Sequence, residues 1–307
     1  MGYNGYSPME HTQNNTFPKR PIVIAEIGCN HMGNFATAKE MMFMAKSFCN
    51  ADVVKLQKRN NRELLTEEEY NSPHPNPANS YGNTYGEHRE ALEFTKEQHA
   101  ELKKYCEEIG IEYSTSVWDL TSAKEIAELN PKKIKIPSAS NTRFDILEYL
   151  AKNYKGEIHI SFGMTTRAEE KEIVEFMEKH GRAKDTVIYS CTSGYPVPFE
   201  DVCMSEITRL KKEYGDRVKA IGFSGHHNGI AIDMAALVLG AEYIERHFTL
   251  NRTWKGTDHA ASLEPDGLRR LTRDLEATAL ALQYKNPEIL PIEEVQRKKL
   301  KRVAYGS

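Results

Sequence analysis

Residues 111–161 read IEYSTSVWDLTSAKEIAELNPKKIKIPSASNTRFDILEYLAKNYKGEIHIS. Three short runs rich in strand-favouring residues (111–116, 133–136 and 157–161) alternate with two stretches of helical periodicity (121–129 and 144–152). Strand, helix, strand, helix, strand at this spacing is the rhythm of a parallel sheet. Working outward, the same alternation continues in both directions. Strands are expected at 21–27 and 52–57 before this stretch, and at 186–190, 218–223 and 243–247 after it. Helices are expected at 36–48, 96–108, 168–180, 204–214, 231–239 and 267–282. About eight such units predict an α/β fold of the closed (β/α)8 TIM-barrel type. An open doubly wound sheet would have fewer units and a glycine-rich first turn, which Gly28-Cys29-Asn30-His31 is not.

The chain has 307 residues, and a barrel needs roughly 250. The expected organisation is an N-terminal arm (1–20), a barrel (21–290) and a C-terminal tail or linker (291–307). Residues 60–94 are too long for an ordinary connection and rich in Pro, Asn, Tyr and His. Such a segment after a barrel strand reads as a functional lid. Hydrophobic residues make up 39% of the chain and charged residues 28%, a balance that fits a soluble protein with a large core. The net charge of −3 argues against nucleic acid or an acidic membrane as partner. The basic run Arg297–Arg302 reads as a solvated helix end. Five scattered cysteines without a Cys-x-x-Cys pair exclude a disulfide framework; Cys29 and Cys191 read as small fillers rather than nucleophiles. The first twenty residues are polar and lack a secretory core, Tyr6 breaks a myristoylation pattern, and no run reaches bilayer length. A cytoplasmic location is expected.

In such barrels the chemistry sits where strands end, and each expected strand ends in polar residues. Glu26, Asn30 and His31 follow the first and Lys55 with Gln57 the second. Ser114 with Thr115, Lys135 with Ser138, and Ser161 follow the next three. Ser193 and Tyr195 follow the sixth, Ser224 and His226 the seventh, and Glu245 with His247 the eighth. Val54 and Leu56 face away from Lys55 and Gln57, so the lysine points into the barrel. Lys135 lies between two isoleucines. Two strand-embedded lysines need anionic partners, and among so many hydroxyls they suit an anion with several oxygens, such as a phosphate plus a carboxylate. Internal salt bridges, Lys55 with Glu26 for instance, are the alternative. His226 and His247, from neighbouring strands, can meet on one divalent ion with water and substrate oxygens completing its shell. Asp258 in the following loop can add a base or a partner behind a ligand.

The runs AEIGCNH (25–31), VKLQ (54–57), SFGM (161–164), FSGH (223–226), IERHFT (244–249) and DHAASLEP (258–265) resemble the sialic acid synthase family, in order over residues 20–303. That resemblance implies condensation of phosphoenolpyruvate with an N-acetylhexosamine such as N-acetylmannosamine, giving a nonulosonic 2-keto acid and phosphate. It also implies a divalent metal, usually manganese with magnesium or cobalt as substitutes, and a homodimer. His226 and His247 match its metal ligands. Lys55, Thr115, Lys135, Ser138, Ser161 and Ser224 match positions holding phosphoenolpyruvate. Glu26, Gln57, Tyr195, Glu245 and Asp258 match positions facing the sugar, with Glu26, Glu245 and Asp258 as catalytic carboxylates. Ser193 stands where the family usually has Asn, and Gly225 where it has Asp. The family's C-terminal antifreeze-like domain would begin about where this sequence stops. A lid carrying Tyr81, Asn83, Tyr85, His88 and Arg89 is expected to contribute to sugar recognition in its place. A metal-dependent barrel hydrolase or deacetylase, or a non-catalytic sugar- or phosphate-binding barrel, are the alternatives from other classes.

Overall fold

A computed structural model describes residues 19–285 and 288–302; all but the last two residues of the expected arm lie outside it. Eight parallel strands close into one barrel in sequence order. They are β1 (Ile22–Gly28), β2 (Val53–Lys58), β3 (Glu112–Val117), β4 (Lys133–Ile136), β5 (Glu157–Ser161), β6 (Thr186–Cys191), β7 (Ala220–Gly225) and β8 (Tyr243–His247). A helix follows each: Phe35–Ser47, Lys96–Ile109, Leu120–Leu129, Phe144–Asn153, Arg167–Lys179, Ser205–Tyr214, Ala231–Val238 and Pro265–Ala281. The sequence pattern therefore predicts both the class and the order. Among the strands the largest displacement is at β7, expected from 218. There the Val218 N–H turns back to the Tyr214 carbonyl at 2.9 Å, ending the preceding helix instead of joining the sheet.

Alternation along the strands sorts side chains into two cores. Outward residues such as Val54, Leu56, Ile134, Ile136, Ile158 and Ile160 pack under the helices. Inward residues form layers along the barrel axis. At the N-terminal end Lys133 joins Glu112 and Glu157. An apolar plug of Ile24, Val53, Val187, Tyr189, Ala220 and Tyr243 fills the middle. Gly222 makes room in it, because a Cβ there would lie 2.5 Å from the Tyr189 ring. Above the plug, at the C-terminal end, the inward residues turn polar.

The segment after β2 is folded rather than a bare loop. It holds short helices at Asn61–Leu64, Glu67–Asn71 and Tyr85–Ala91, and a 3-10 turn at Pro77–Asn79. Thr66 and Glu69 form a reciprocal capping box that starts the second of these. Gly86 lets the third helix lie flat on Tyr70, whose ring a Cβ would meet at 2.3 Å. The Tyr81 hydroxyl donates to the Lys255 carbonyl, tying the insertion to the segment after β8. The tail forms an exposed helix, Pro291–Leu300, with the basic run at its end. Among the described residues no helix is long and apolar enough to cross a membrane.

Candidate active site

A cavity of about 300 Å³ opens at the C-terminal end of the strands. Its wall includes Glu26, Lys55, Gln57, Lys135, Ser138, Ser161, Ser193, Tyr195, Ser224, His226, Glu245 and His247. Of the residues matched to the family's site, only Thr115 and Asp258 lie off this wall; Asn30, His31, Ser114 and the expected lid residues Tyr81, Asn83, Tyr85, His88 and Arg89 also lie off it.

Thr115 is a correction. On β3 the inward residues are Glu112, Ser114 and Ser116, which share a face by the two-residue period. Thr115 lies between them on the outer face, fully buried, with Tyr113 and Val117 of the core under the helices. Ser116 takes the place expected of it and accepts a hydrogen bond from Lys55 Nζ at 2.7 Å. Simple alternation from Ser114 carries that signal. Asp258 does not reach the cavity wall either. Its Oδ2 stands 3.9 Å from His247 Nδ1. Asn30 and His31 are structural: Asn30 Nδ2 donates to the Phe248 carbonyl at 2.8 Å, and His31 stacks on Phe94 at 4.2 Å.

The floor of the cavity is an ionic chain. Lys55 pairs with Glu26, and its Nζ is 3.5 Å from Glu245 Oε1. Lys135 reaches the same Glu245 oxygen at 2.7 Å and lies 4.3 Å over the Tyr189 ring. Ser224 Oγ donates to that oxygen at 3.3 Å. The salt-bridge alternative for the lysines is thus realised in the ligand-free protein, but on the wall of a cavity. Their environments push the two carboxylates apart. Burial raises Glu26 to about 7 against the pull of Lys55, and the negative Glu245 adds to the rise. Burial would also raise Glu245, but Lys135 and Lys55 hold it at about 2. Lys55 is raised, since Glu245 and Glu26 outweigh its burial, while burial lowers Lys135. Glu26 Oε2 is the oxygen that Lys55 pairs with, while Glu245 Oε2 is buried without a hydrogen bond.

Across the cavity the backbone closes in. The Gly163 N–H donates to Ser138 Oγ at 3.1 Å, and a Cβ on Gly163 would lie 2.4 Å from Ser193 Oγ and 2.6 Å from Ser138 Oγ. Glycine is what allows these hydroxyls to converge. The sequence reading missed Trp118 and Met164 as wall residues, and read Cys191, also on the wall, as filler. Cys29 is raised to about 12 by burial, which suits an inert thiol.

His226 and His247 face each other with ring centroids 5.3 Å apart, and Tyr195 packs on His226 at 4.4 Å. His226 Nδ1 donates to the Thr192 carbonyl at 2.9 Å, the kind of outer hydrogen bond that orients a metal-binding imidazole. His247 Nδ1 is buried with no hydrogen-bond partner. Two imidazoles, one with an orphaned nitrogen, fit two positions around a divalent ion. Among the described residues no group of three or more His, Cys, Asp or Glu completes a protein cage. Water or substrate oxygens would fill the remaining positions.

The NeuB family model matches residues 41–287. N-acetylneuraminate-9-phosphate synthase of Homo sapiens is 40% identical over 284 residues, covering 91% of this chain and 76% of that one. N,N'-diacetyllegionaminic acid synthase of Campylobacter jejuni is 32% identical, covering 86% of this chain and 78% of its own. Among solved structures, the N-acetylneuraminic acid (sialic acid) synthetase of Leptospira borgpetersenii in complex with citrate superposes with a TM-score of 0.75. It is 27% identical and covers 93% of this chain and 94% of its own. The chain belongs to the NeuB family, the sialic acid synthases, which are phosphoenolpyruvate-dependent condensing transferases.

Proposed function

We propose that this enzyme joins phosphoenolpyruvate to the aldehyde of an N-acetylhexosamine, releasing phosphate and a nine-carbon 2-keto acid. The observation that carries this reading is the pair of buried lysines on the cavity floor, each held by a carboxylate that the substrate's own anions can replace. Lys55 and Lys135, with the hydroxyls of Ser116, Ser138, Ser161 and Ser224, would take the phosphate and carboxylate oxygens. Glu26, raised to about 7, is the carboxyl best suited to exchange a proton near neutrality, while Glu245 stays ionised beside Lys135.

His226 and His247 would hold a divalent ion, manganese first and magnesium or cobalt next. When bound, that ion supplies Lewis-acid polarisation of an aldehyde oxygen. The enol C3 of phosphoenolpyruvate then forms the new bond to the aldehyde carbon, leaving C2 electron-poor. Water adds at C2 and gives one proton to Glu26, which returns it to the aldehyde oxygen as that becomes a hydroxyl. The C2–O bond to phosphate then breaks, the remaining hydroxyl proton leaves with the phosphate, and C2 becomes the ketone. Lys55 and Lys135 offset the phosphate and carboxylate charge throughout.

Phosphate release with phosphoenolpyruvate and a panel of aldoses tests this directly. Release that requires both substrates and stops on chelation is the expected result. Hydrolysis of an acylated sugar without phosphoenolpyruvate would replace the reading with a deacetylase, and binding without release would leave a sugar-binding barrel.

A further inference from the structure

Among the described residues Arg246 is the largest side chain that is fully buried, at 1% exposure. It lies on β8 between Glu245 and His247, which both line the cavity. By the two-residue period it points the other way, out of the barrel toward the helix Ala231–Val238. There its Nη1 pairs with Asp233 of that helix, itself wholly buried. The rest of the guanidinium fork goes to one turn of backbone. Nη1 also donates to the Gly229 carbonyl at 2.9 Å, and Nη2 donates to the His227 carbonyl at 2.6 Å. Both carbonyls belong to the turn that follows His226.

Stability alone does not account for this cluster. Arg246 Nε, His227 Nδ1 and Asp233 Oδ1 are all buried without a hydrogen bond. None of the three residues is on the cavity wall, where a substrate oxygen could complete them. A buried ion pair adds little over apolar residues of the same shape, and its best-attested use is to fix one geometry. The neighbours show which geometry that is. Gly225 stands opposite Arg246 in the pairing of β7 with β8, and His226 comes next. On its far side His226 is held twice: its Nδ1 donates to the Thr192 carbonyl, and its own carbonyl accepts from the Val197 N–H at 3.0 Å. Arg246 supplies the hold on the near side, through residues 227 and 229. The His227 ring stacks on Phe223 at 5.9 Å and lies so close to Gly225 that a Cβ there would come within 3.0 Å of its Nδ1. Glycine at 225, where the family usually has aspartate, leaves room for that ring.

We propose that Arg246 is a positioning residue for the imidazole pair: its guanidinium fastens the turn after β7 to β8 and so sets His226 opposite His247 before any ion arrives. The inference rests on the reading above that these histidines hold a divalent ion, and it adds where their alignment comes from. Two imidazoles are a sparse protein shell, completed by water and substrate oxygens. Such a site has no further protein ligand to draw a wandering histidine into place, so its affinity depends on alignment in advance. Arg246 is the chain neighbour of His247 and binds the backbone just beyond His226, so one side chain links the two ligand-bearing segments. Lysine is no substitute here. A single ammonium on a flexible stem lacks the planar fork that meets Asp233 and two separate carbonyls at once.

The experiment titrates the substrate-free enzyme with Mn2+ and follows the free ion by its electron paramagnetic resonance signal. Arg246→Lys keeps a positive charge beside Asp233 but loses the fork. It should raise the Kd for Mn2+ about tenfold to a hundredfold, the usual effect of losing a partner behind a metal ligand. Binding of phosphoenolpyruvate to the metal-free variant, by calorimetry, should stay within about twofold, because Lys55 and Lys135 share no partner with Arg246. Mn2+ binding at wild-type strength by a folded Arg246→Lys overturns the inference and leaves the metal reading standing. So does an equal loss of both ligands, which would make Arg246 a support of the barrel in general. A wild type that binds no Mn2+, or a His247→Ala variant that binds it as tightly, overturns the metal reading and this inference with it. Should Arg246→Lys fail to fold, hydrogen exchange on the metal-free wild type decides. The segment 226–233 should already be protected and gain little when Mn2+ is added. A segment that exchanges freely until Mn2+ is present would show that the ion, and not Arg246, orders it.

Discussion

Lys133 and Lys135 stand two residues apart on β4, point to the same side and are both buried, yet they do different work. Lys133 is at the N-terminal layer of the barrel, where its Nζ meets Glu112 Oε1 at 2.5 Å and lies 3.9 Å from Glu157 Oε2. Glu157 is bound in turn by Lys219 at 2.7 Å, His159 at 3.1 Å and the Tyr243 hydroxyl at 3.1 Å. Both Glu157 oxygens have donors, and the cluster closes on itself. Lys135, one layer higher, shares a single Glu245 oxygen with Lys55 while the other oxygen is buried without a hydrogen bond. An unmet acceptor on Glu245 and an orphaned nitrogen on His247 border a cavity there. Ionic residues inside a barrel therefore do not mark a site by themselves. Incomplete pairing beside open volume does.

The comparison breaks most visibly by truncating the two lysines in turn. Lys135→Ala should raise the KM for phosphoenolpyruvate about tenfold to a hundredfold, if a charged hydrogen bond is worth about 1.5–3 kcal/mol. Binding of phosphoenolpyruvate by calorimetry at wild-type strength would show Lys135 to be only a partner for Glu245. Lys133→Ala should do the reverse. Steady-state constants should stay within about twofold, while stability in urea falls by about 1–3 kcal/mol as Glu112 and Glu157 lose a donor. The lower part of that range is expected, because those glutamates are about a fifth exposed and water can reach them. A kinetic defect in Lys133→Ala with unchanged stability would erase the distinction between the layers.

The two lysines also show where sequence reading ends. Period-two alternation shows that Lys55 with Gln57, and Glu245 with His247, share faces, and the eightfold strand–helix rhythm fixes the barrel. It cannot say how high a residue stands on the barrel axis. That depends on register between strands, such as Ser116 opposite Lys135 and Lys133 opposite Ser114, which no single strand encodes. Within one strand the alternation was still informative where it went unused. Thr115 is both a strand-end polar residue and a family match, yet alternation from Ser114 puts Ser116 on the inward face instead. Arg89 was legible only as one polar residue of a long segment. Its burial without a partner arises because the Tyr85–Ala91 helix packs it against Trp118, a residue distant in sequence.

The smallest expected effect concerns acid, and it tests the closed layer alone. Glu157 is held well below the usual carboxylate range: burial opposes this, but the hydrogen bonds of His159 and Lys219 and the charge of Lys133 outweigh it. A carboxylate depressed on folding contributes stability that is fully present above its unfolded value, about 4.3. That contribution is lost as the pH falls from there through the folded value. Glu157→Gln cannot ionise, so it lacks the contribution at every pH. At neutral pH the variant should melt below the wild type, and the gap should narrow steadily as pH drops under about 4.3. General acid destabilisation lowers both curves and leaves the difference to report Glu157 together with the His159 imidazole bonded to it, which is lowered by burial to about 4. A gap that stays constant from neutral to acid pH would mean that Glu157 packs the barrel end by shape, and the contrast with the cavity layer would lose its electrostatic basis.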